Sequence, residues 1–335
     1  MPVEALFYNK LDDNKVQCSL CPHFCILKEG QSGICRVRRN KEGKLFSTAY
    51  GLVSSIQSDP IEKKPFFHFY PGSKILSVGS YGCNLRCQFC QNSSISQTKP
   101  IDEYAQKKYM PQQIVEMAIN TPGNTGIAFT YNEPVVWFEY MLDIARLANK
   151  AGLKTAMVTN GFINSDPLNM IMPYIDAFNV DLKGFNEDFY CKMTSSHIEP
   201  VKNAIIQIHS AGKHLEITNL IITGINDSKA SIASMSNWIA TKLGTNTVLH
   251  LSRYFPDYKL TAEATPTRTI LEAQQIAKKD LIYVYTGNLY PESNNTYCIN
   301  CNNLLIYRLS YDTVLTGLDT KGNCKSCGTN FLKKT

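Results

Sequence analysis

The chain has 335 residues, 44% of them hydrophobic, with a formal net charge of +6. That length suits one large core with small appendages or two ordinary domains. The opening MPVEALFYNK lacks a basic region followed by an apolar core, and no run approaches about 18 apolar residues. A secreted or membrane-spanning protein is therefore not expected, and the reading is soluble and cytoplasmic. The scattered basic residues, with a mild excess at Lys321, Lys325, Lys333 and Lys334, read as a solvated surface. An RNA or an acidic protein is the minor alternative partner.

Twelve cysteines stand out, eleven of them in tight groups. Without a secretion signal, metal ligation is a better reading than disulfides. The first group, Cys18-x2-Cys21-x3-Cys25-x9-Cys35, lies in residues 1–70, which also carry Gly-rich turns and look like a small module of their own. Four thiolates suffice for closed zinc or for an auxiliary iron–sulfur cluster, and spacing does not choose between them. His23 within this loop is expected to be a satisfied polar neighbour rather than a ligand.

From residue 75 short β-branched runs alternate with helical periods, the pattern of βα units. The runs are 75–79, 126–130, 154–159, 177–181, 215–222, 247–251 and 281–285. Pro111, Pro134, Pro167 and Asp227-Ser228 mark helix starts, while Gly152 and Gly244 mark helix ends. Such units close into a full or partial barrel whose chemistry lies at the C-terminal ends of the strands. Residues 71–290 form this expected domain.

Directly after the first of these strands comes Tyr81-Gly-Cys-Asn-Leu-Arg-Cys-Gln-Phe-Cys-Gln-Asn92. Cys83, Cys87 and Cys90 would wrap three corners of a 4Fe-4S cubane and leave the fourth iron open to an outside ligand. A zinc site would want a fourth ligand. The C-x3-C-x2-C spacing, with Phe89 before the third cysteine, resembles the radical S-adenosylmethionine (SAM) superfamily. That resemblance implies a 4Fe-4S cluster, SAM, a low-potential electron donor and an α/β fold of the partial (β/α)6 TIM-barrel type. It further implies that Glu133, with Asn132 beside it in GIAFTYNEP, binds the SAM ammonium group. Asn160, Asp181 and Lys183 resemble the polar SAM contacts of pyruvate formate-lyase activating enzymes, and Asn226 those of an adenine-binding loop. With CSLCPHFC, GQSGICRVRRN, DPIEKKPFFHFYPGS and SRYFPDYKL included, the chain resembles the AmmeMemoRadiSam-system radical SAM enzymes over nearly its whole length. A protein substrate of that system is then the implied partner. Asp59, Lys63 and Lys64 read either as an ordinary charged loop or as a face for an anionic substrate. Cys191 has no partner in sequence and is expected to be a small buried side chain.

PESNNTYC marks a polar linker into residues 291–335, too short for an apolar core. Cys298-x2-Cys301 and Cys324-x2-Cys327 form a zinc-ribbon or rubredoxin-like pair of knuckles, and zinc is expected. The functional expectation is hydrogen abstraction by a 5'-deoxyadenosyl radical from a substrate the sequence does not identify. A glycyl-radical-enzyme activase is the alternative enzyme, and an iron–sulfur or zinc interaction protein the alternative of another class.

Overall fold

A computed structural model describes residues 2–98, 108–289 and 294–332. The start of the expected linker, residues 290–293, and Lys333 and Lys334 lie outside the described residues. Six short strands open the chain: β1 (Val3–Glu4), β2 (Tyr8–Lys10), β3 (Val16–Cys18), β4 (Ile26–Leu27), β5 (Arg38–Lys41) and β6 (Lys44–Ser47). They make two three-stranded sheets, in the orders β1-β6-β5 and β2-β3-β4.

The central sheet has eight strands: β7 (Ser55–Pro60), β8 (Lys74–Gly79), β9 (Asn124–Phe129), β10 (Lys154–Thr159), β11 (Ala177–Asp181), β12 (His214–Ile221), β13 (Val248–Arg253) and β14 (Val284–Gly287). Strands β8 to β14 run parallel in chain order, and β7 pairs antiparallel with β8. The seven expected runs correspond to the parallel strands β8 to β14, one more than a six-strand repeat holds, and β7 adds an unexpected antiparallel edge; among the described residues no pairing joins β7 to β14. The sheet curls without closing.

Side-chain size explains what fills it. Small residues Ala128, Ala156 and Ala177, with Ile75, face the interior and accept Ile61, Phe66 and Phe69 from the β7–β8 connection. Burying each phenylalanine contributes roughly 1.5–3 kcal/mol. The alternate residues Leu76, Val78, Ile127, Phe129, Met157, Phe178 and Val180 belong to the larger core that includes the helices.

Helix boundaries follow the expected punctuation. Pro111 opens Pro111–Asn120, and Pro134 opens a 3-10 turn leading into Phe138–Lys150. The Ser165–Ile171 helix begins two residues ahead of Pro167. Ser228 caps Lys229–Leu243, its hydroxyl accepting from Ser231 N–H at 3.2 Å. Ser228→Ala should cost about 1 kcal/mol, read as a lower urea midpoint at unchanged slope; an unmoved midpoint would remove the cap from the account. The helices Ile198–Ser210 and Thr267–Ala277 were not among those expected.

The N-terminal strands share the main core, since Val16, Leu20, Val37 and Leu45 pack in one cluster with the barrel helices. A buried bidentate ion pair reinforces this: Arg38 Nη1 and Nη2 donate to Glu139 Oε2 and Oε1, each at 3.0 Å. Leu6 N–H also donates to Glu139 Oε1 at 2.8 Å.

The tail forms a third small sheet, β15 (Thr296–Tyr297), β16 (Leu304–Leu309) and β17 (Asp312–Leu315). It is fixed to the end of the barrel where the parallel strands begin. The buried Arg308 guanidinium donates to Phe67 O and to Thr296 Oγ1, and lies 4.6 Å over the Phe67 ring. His68 and Tyr285 hydroxyl meet at 2.7 Å, and Phe331 packs on His68 with ring centroids 4.8 Å apart.

Candidate active site

The three-cysteine loop leaves the C-terminal end of β8 and is held on several sides. Asn132 accepts from Ser80 N–H at 2.8 Å and donates to Gly82 O at 2.8 Å, bracketing the entry to the loop. Gly82 has φ +83°, and a Cβ there would lie 2.5 Å from Cys35 O, so only glycine fits. Further along, Arg86 N–H donates to Thr194 O at 2.8 Å and Gln88 N–H to Met193 O at 3.0 Å. Phe89 is buried against Phe189 at 6.0 Å between ring centroids.

Donors already point at the sulfurs. Leu85 N–H lies 3.3 Å and Asn160 Nδ2 3.7 Å from Cys83 Sγ, and Ser96 Oγ is 3.1 Å from Cys90 Sγ. Burial pushes the Cys83 thiol well up, with the charge of Glu133 adding to it. Burial likewise pushes Cys87 up to about 12, opposed by the Lys183 ammonium. Thiolates are stable in such surroundings only with cationic metal beside them. Among the described residues, only two groups bring three or more ligand atoms within 4.8 Å of one another, and this trio is in neither. Thiolates that each bind a different iron are spread in this way, whereas four thiolates on one zinc, with Zn–S about 2.3 Å, stand about 3.8 Å apart. The donor set therefore fits a 4Fe-4S cluster with an open corner.

The other expected residues gather at the same strand ends. Glu133, after β9, is 4% exposed. Its Oε1 accepts from Thr159 Oγ1 at 2.7 Å and Val135 N–H at 3.1 Å, and its Oε2 from Asn160 N–H at 2.8 Å. Burial pushes its carboxyl up to about 7, although these donors pull the other way. Asn160, after β10, donates to Asn84 Oδ1 at 2.9 Å and accepts from Phe162 N–H at 2.9 Å. Asp181 ends β11, and Lys183 Nζ reaches its Oδ2 at 2.8 Å. Burial alone would lower the lysine, but Asp181 and Cys87 outweigh it and hold the ammonium above its ordinary value. Asn226, after β12, accepts from Ile222 N–H at 2.7 Å and donates to Lys183 O at 2.9 Å and Leu220 O at 2.8 Å. It braces the loop that carries Lys183.

Below the mouth lies a polar layer that sequence reasoning missed. Tyr131 has φ +70° and passes over Gly79, where a Cβ would come 3.0 Å from its ring. Its hydroxyl donates to Asp59 Oδ2 at 2.5 Å. Lys64 Nζ lies 2.6 Å from Asp59 Oδ2 and 4.3 Å over the Tyr131 ring, and Lys63 Nζ is 2.9 Å from Asp59 Oδ1. Asp59 and Lys64 are buried, which corrects the expectation of a charged surface loop. Burial would raise the Asp59 carboxyl, but hydrogen bonds from Lys64, Tyr131 and Lys63 hold it well below the usual range. Thr218 Oγ1 donates to Asn179 Oδ1 at 2.8 Å in the same interior, and Val158, Asp181, Thr218 and Ser252 remain half-buried. An Asp followed by Lys-Lys carries no signal of burial.

The outlying cysteines divide. Cys298, Cys301, Cys324 and Cys327 lie within 4.8 Å of one another, with Cys298–Cys327 and Cys301–Cys324 both at 3.6 Å, the separation one tetrahedral ion imposes. The Thr329 hydroxyl and N–H hold the Cys327 thiol down to about 6. His23 Nε2 is 2.7 Å from Asn84 O and serves as a structural polar group, as expected. Cys191, expected to be buried, is exposed. It sits on the π-helical turn Tyr190–Thr194, which directs it outward to Glu187 Oε1 at 3.3 Å and His197 Nδ1 at 3.9 Å.

The family model described as the Radical SAM superfamily matches residues 77–238. An uncharacterized protein of Methanocaldococcus jannaschii is 44% identical over 331 residues, covering 97% of each chain. A pyruvate formate-lyase-activating enzyme of Clostridium pasteurianum is 23% identical over 158 residues, 47% of this chain and 66% of its own. A radical SAM methyltransferase of Sphaerobacter thermophilus shares the fold with TM-score 0.52 at 16% identity, over 65% of this chain and 67% of its own. Among the described residues no helix is long and apolar enough to cross a membrane.

Proposed function

Since the chain belongs to the radical SAM superfamily, we propose that it is the hydrogen-abstracting enzyme of an AmmeMemoRadiSam-type system, acting on a segment of a partner protein. The observation that carries this reading is the convergence at one barrel mouth of an incompletely ligating thiol trio with Glu133, Asp181 and Lys183. The cluster, when bound, supplies the electron that cleaves the S–C5' bond of SAM to methionine and a 5'-deoxyadenosyl radical, which takes a hydrogen atom from substrate. The chain's own residues bind, orient and enclose. Cys83, Cys87 and Cys90 hold the cluster, with Phe89 packing their loop. Glu133 would bind the SAM ammonium group and Lys183 its carboxylate. Asn132, Asn160 and Asn226 hold the loops that carry these groups. The resemblance to the AmmeMemoRadiSam-system enzymes favours a protein substrate. In this reading residues 1–70 carry the metal-binding module and, through β7, the edge strand of the barrel sheet, residues 71–290 form the rest of the barrel, and residues 291–335 form a zinc-holding tail.

Activation of a glycyl-radical enzyme is a second reading, favoured by the likeness to the Clostridium pasteurianum activating enzyme. Reduction of the reconstituted chain with SAM should release 5'-deoxyadenosine, and a Memo-like partner should accelerate it. No release sinks the enzyme reading. Release indifferent to the partner sinks the protein-substrate reading.

Glu133 makes a pH prediction. Its carboxyl titrates at about 7, and only the ionised form attracts an ammonium group. Binding SAM therefore favours the deprotonated carboxylate, so affinity should rise about tenfold from pH 6 to pH 8 by proton linkage. Glu133→Gln removes the charge and should weaken binding by about 10- to 100-fold, the scale of a hydrogen bond to a charged group, with a flat pH profile. Calorimetric titration at both pH values checks this; a mutant that keeps the wild-type affinity and slope rules out the assigned role.

A further inference from the structure

The N-terminal cysteines resemble the central trio in geometry and differ from the tail. Cys18 and Cys35 are buried and Cys21 and Cys25 half-buried. Gly33 lies between two of the sulfurs: a Cβ there would be 3.7 Å from Cys25 Sγ and 3.8 Å from Cys35 Sγ. Yet among the described residues no three of these four thiols come within 4.8 Å of one another, while all four tail thiols do. One zinc draws four sulfurs to about 3.8 Å apart. Thiolates bound to separate irons of a cluster stand further apart, one at each corner. The tail thus has the tight pattern of a single ion, and the first four cysteines, like the central trio, do not.

Their position is equally specific, since three successive contacts join them to the central loop. The Cys35 carbonyl packs against Gly82, the residue before Cys83. The side chain of Asn84, the residue after Cys83, lies beside Cys21, and through its carbonyl Asn84 meets His23 Nε2 at 2.7 Å. Arg86, the residue before Cys87, donates to Ile34 O, next to Cys35. Asn160 then touches both Asn84 Oδ1 and Cys83 Sγ. An isolated structural ion needs none of these links.

We propose that Cys18, Cys21, Cys25 and Cys35 hold a second, four-thiolate iron–sulfur cluster adjoining the first through Cys21, Asn84 and Cys83. Four protein ligands leave it no open iron, so it exchanges electrons and binds no SAM. This deepens the proposed cofactor set, and only its relation to a neighbouring cluster rests on the radical SAM reading of Cys83, Cys87 and Cys90.

The test is metal and sulfide analysis with Mössbauer and EPR spectroscopy on the anaerobically reconstituted full chain. The expected content is about eight irons per chain, two cubanes' worth, with a single zinc. About four irons with two zincs overturns the proposal without any variant. A Cys83→Ala/Cys87→Ala/Cys90→Ala chain should keep a reducible cluster whose EPR signal SAM leaves unchanged, and a Cys21→Ser/Cys25→Ser chain should keep the SAM-sensitive one. Loss of all reducible iron from the first variant while it holds two zincs overturns the inference. The radical SAM reading fails separately, if SAM perturbs no signal in the wild-type chain.

Discussion

Cys87→Ala is expected to abolish 5'-deoxyadenosine release while leaving the fold in place. Cys87 is buried at 7% exposure beside Lys183, at the middle corner of the three-thiol loop. Without it two thiolates remain, too few to fix the cubane on this loop, and the open corner loses its position relative to Glu133 and Lys183. The fall in rate should be about three orders of magnitude or more, the scale seen when a member of a reacting unit is removed. Truncating one small buried side chain should cost only about 1 kcal/mol. The loop is independently tied by Arg86 N–H to Thr194 O and Gln88 N–H to Met193 O. The paired measurements are 5'-deoxyadenosine yield and the SAM-induced change in the EPR signal of the reduced chain, with thermal unfolding as control. A variant that keeps both the yield and the spectral response would show that Cys87 is no ligand, and the reading of the mouth would go with it.

Glu216→Gln is expected to destabilise the protein by about 3–5 kcal/mol, the cost of breaking a buried ionic arrangement by removing one partner. Glu216 has no exposed side-chain surface. Its Oε1 accepts from His68 N–H at 2.8 Å and His214 Nε2 at 2.9 Å, and its Oε2 from Phe67 N–H at 2.9 Å and His250 Nε2 at 2.6 Å. An amide NH2 group would face these donors instead of accepting from them. The carboxylate holds Phe67 and His68, the same two residues that Arg308, Tyr285 and Phe331 grip from the tail. Loosening of the tail should therefore accompany loss of stability, read as faster amide exchange in Leu304–Leu309. Burial alone would raise this carboxyl, but hydrogen bonds from His214 and His250 outweigh it and hold it well below its ordinary value. With the folded pKa depressed below an unfolded value of about 4.3, the folded state binds fewer protons in acid than the unfolded state. The contribution is then full above about pH 5 and lost as pH falls. Wild type should show this acid dependence and Glu216→Gln should lack its share of it. Equal denaturant midpoints for the two proteins at pH 7 would refute the account.

These effects belong to opposite ends of one sheet. The cysteine loop and the residues Glu133, Asn160, Asp181 and Lys183 lie at the C-terminal ends of the strands, and the Glu216 network and the tail close the N-terminal ends.

Local features of the sequence settled a definite part of this. Strands β10 and β11 were legible to the residue, because each is a short, mostly apolar run bounded by polar residues, a local pattern decided by neighbours along the chain. The trio at Cys83, Cys87 and Cys90 and the paired knuckles of the tail were legible because their ligands lie within a few residues of each other. Only the tertiary structure decided the rest. Lys64 and Asp59 are buried because Tyr131, 72 residues beyond Asp59, folds back over them. Glu216 is held ionised in the interior by His214 and by His250, 34 residues later on the neighbouring strand. Cys191 is exposed because a π-helical turn rotates it away from the core. Covalent spacing limits where a side chain can be over one or two turns, whereas burial and charge state depend on groups that the curled sheet brings together from far along the chain.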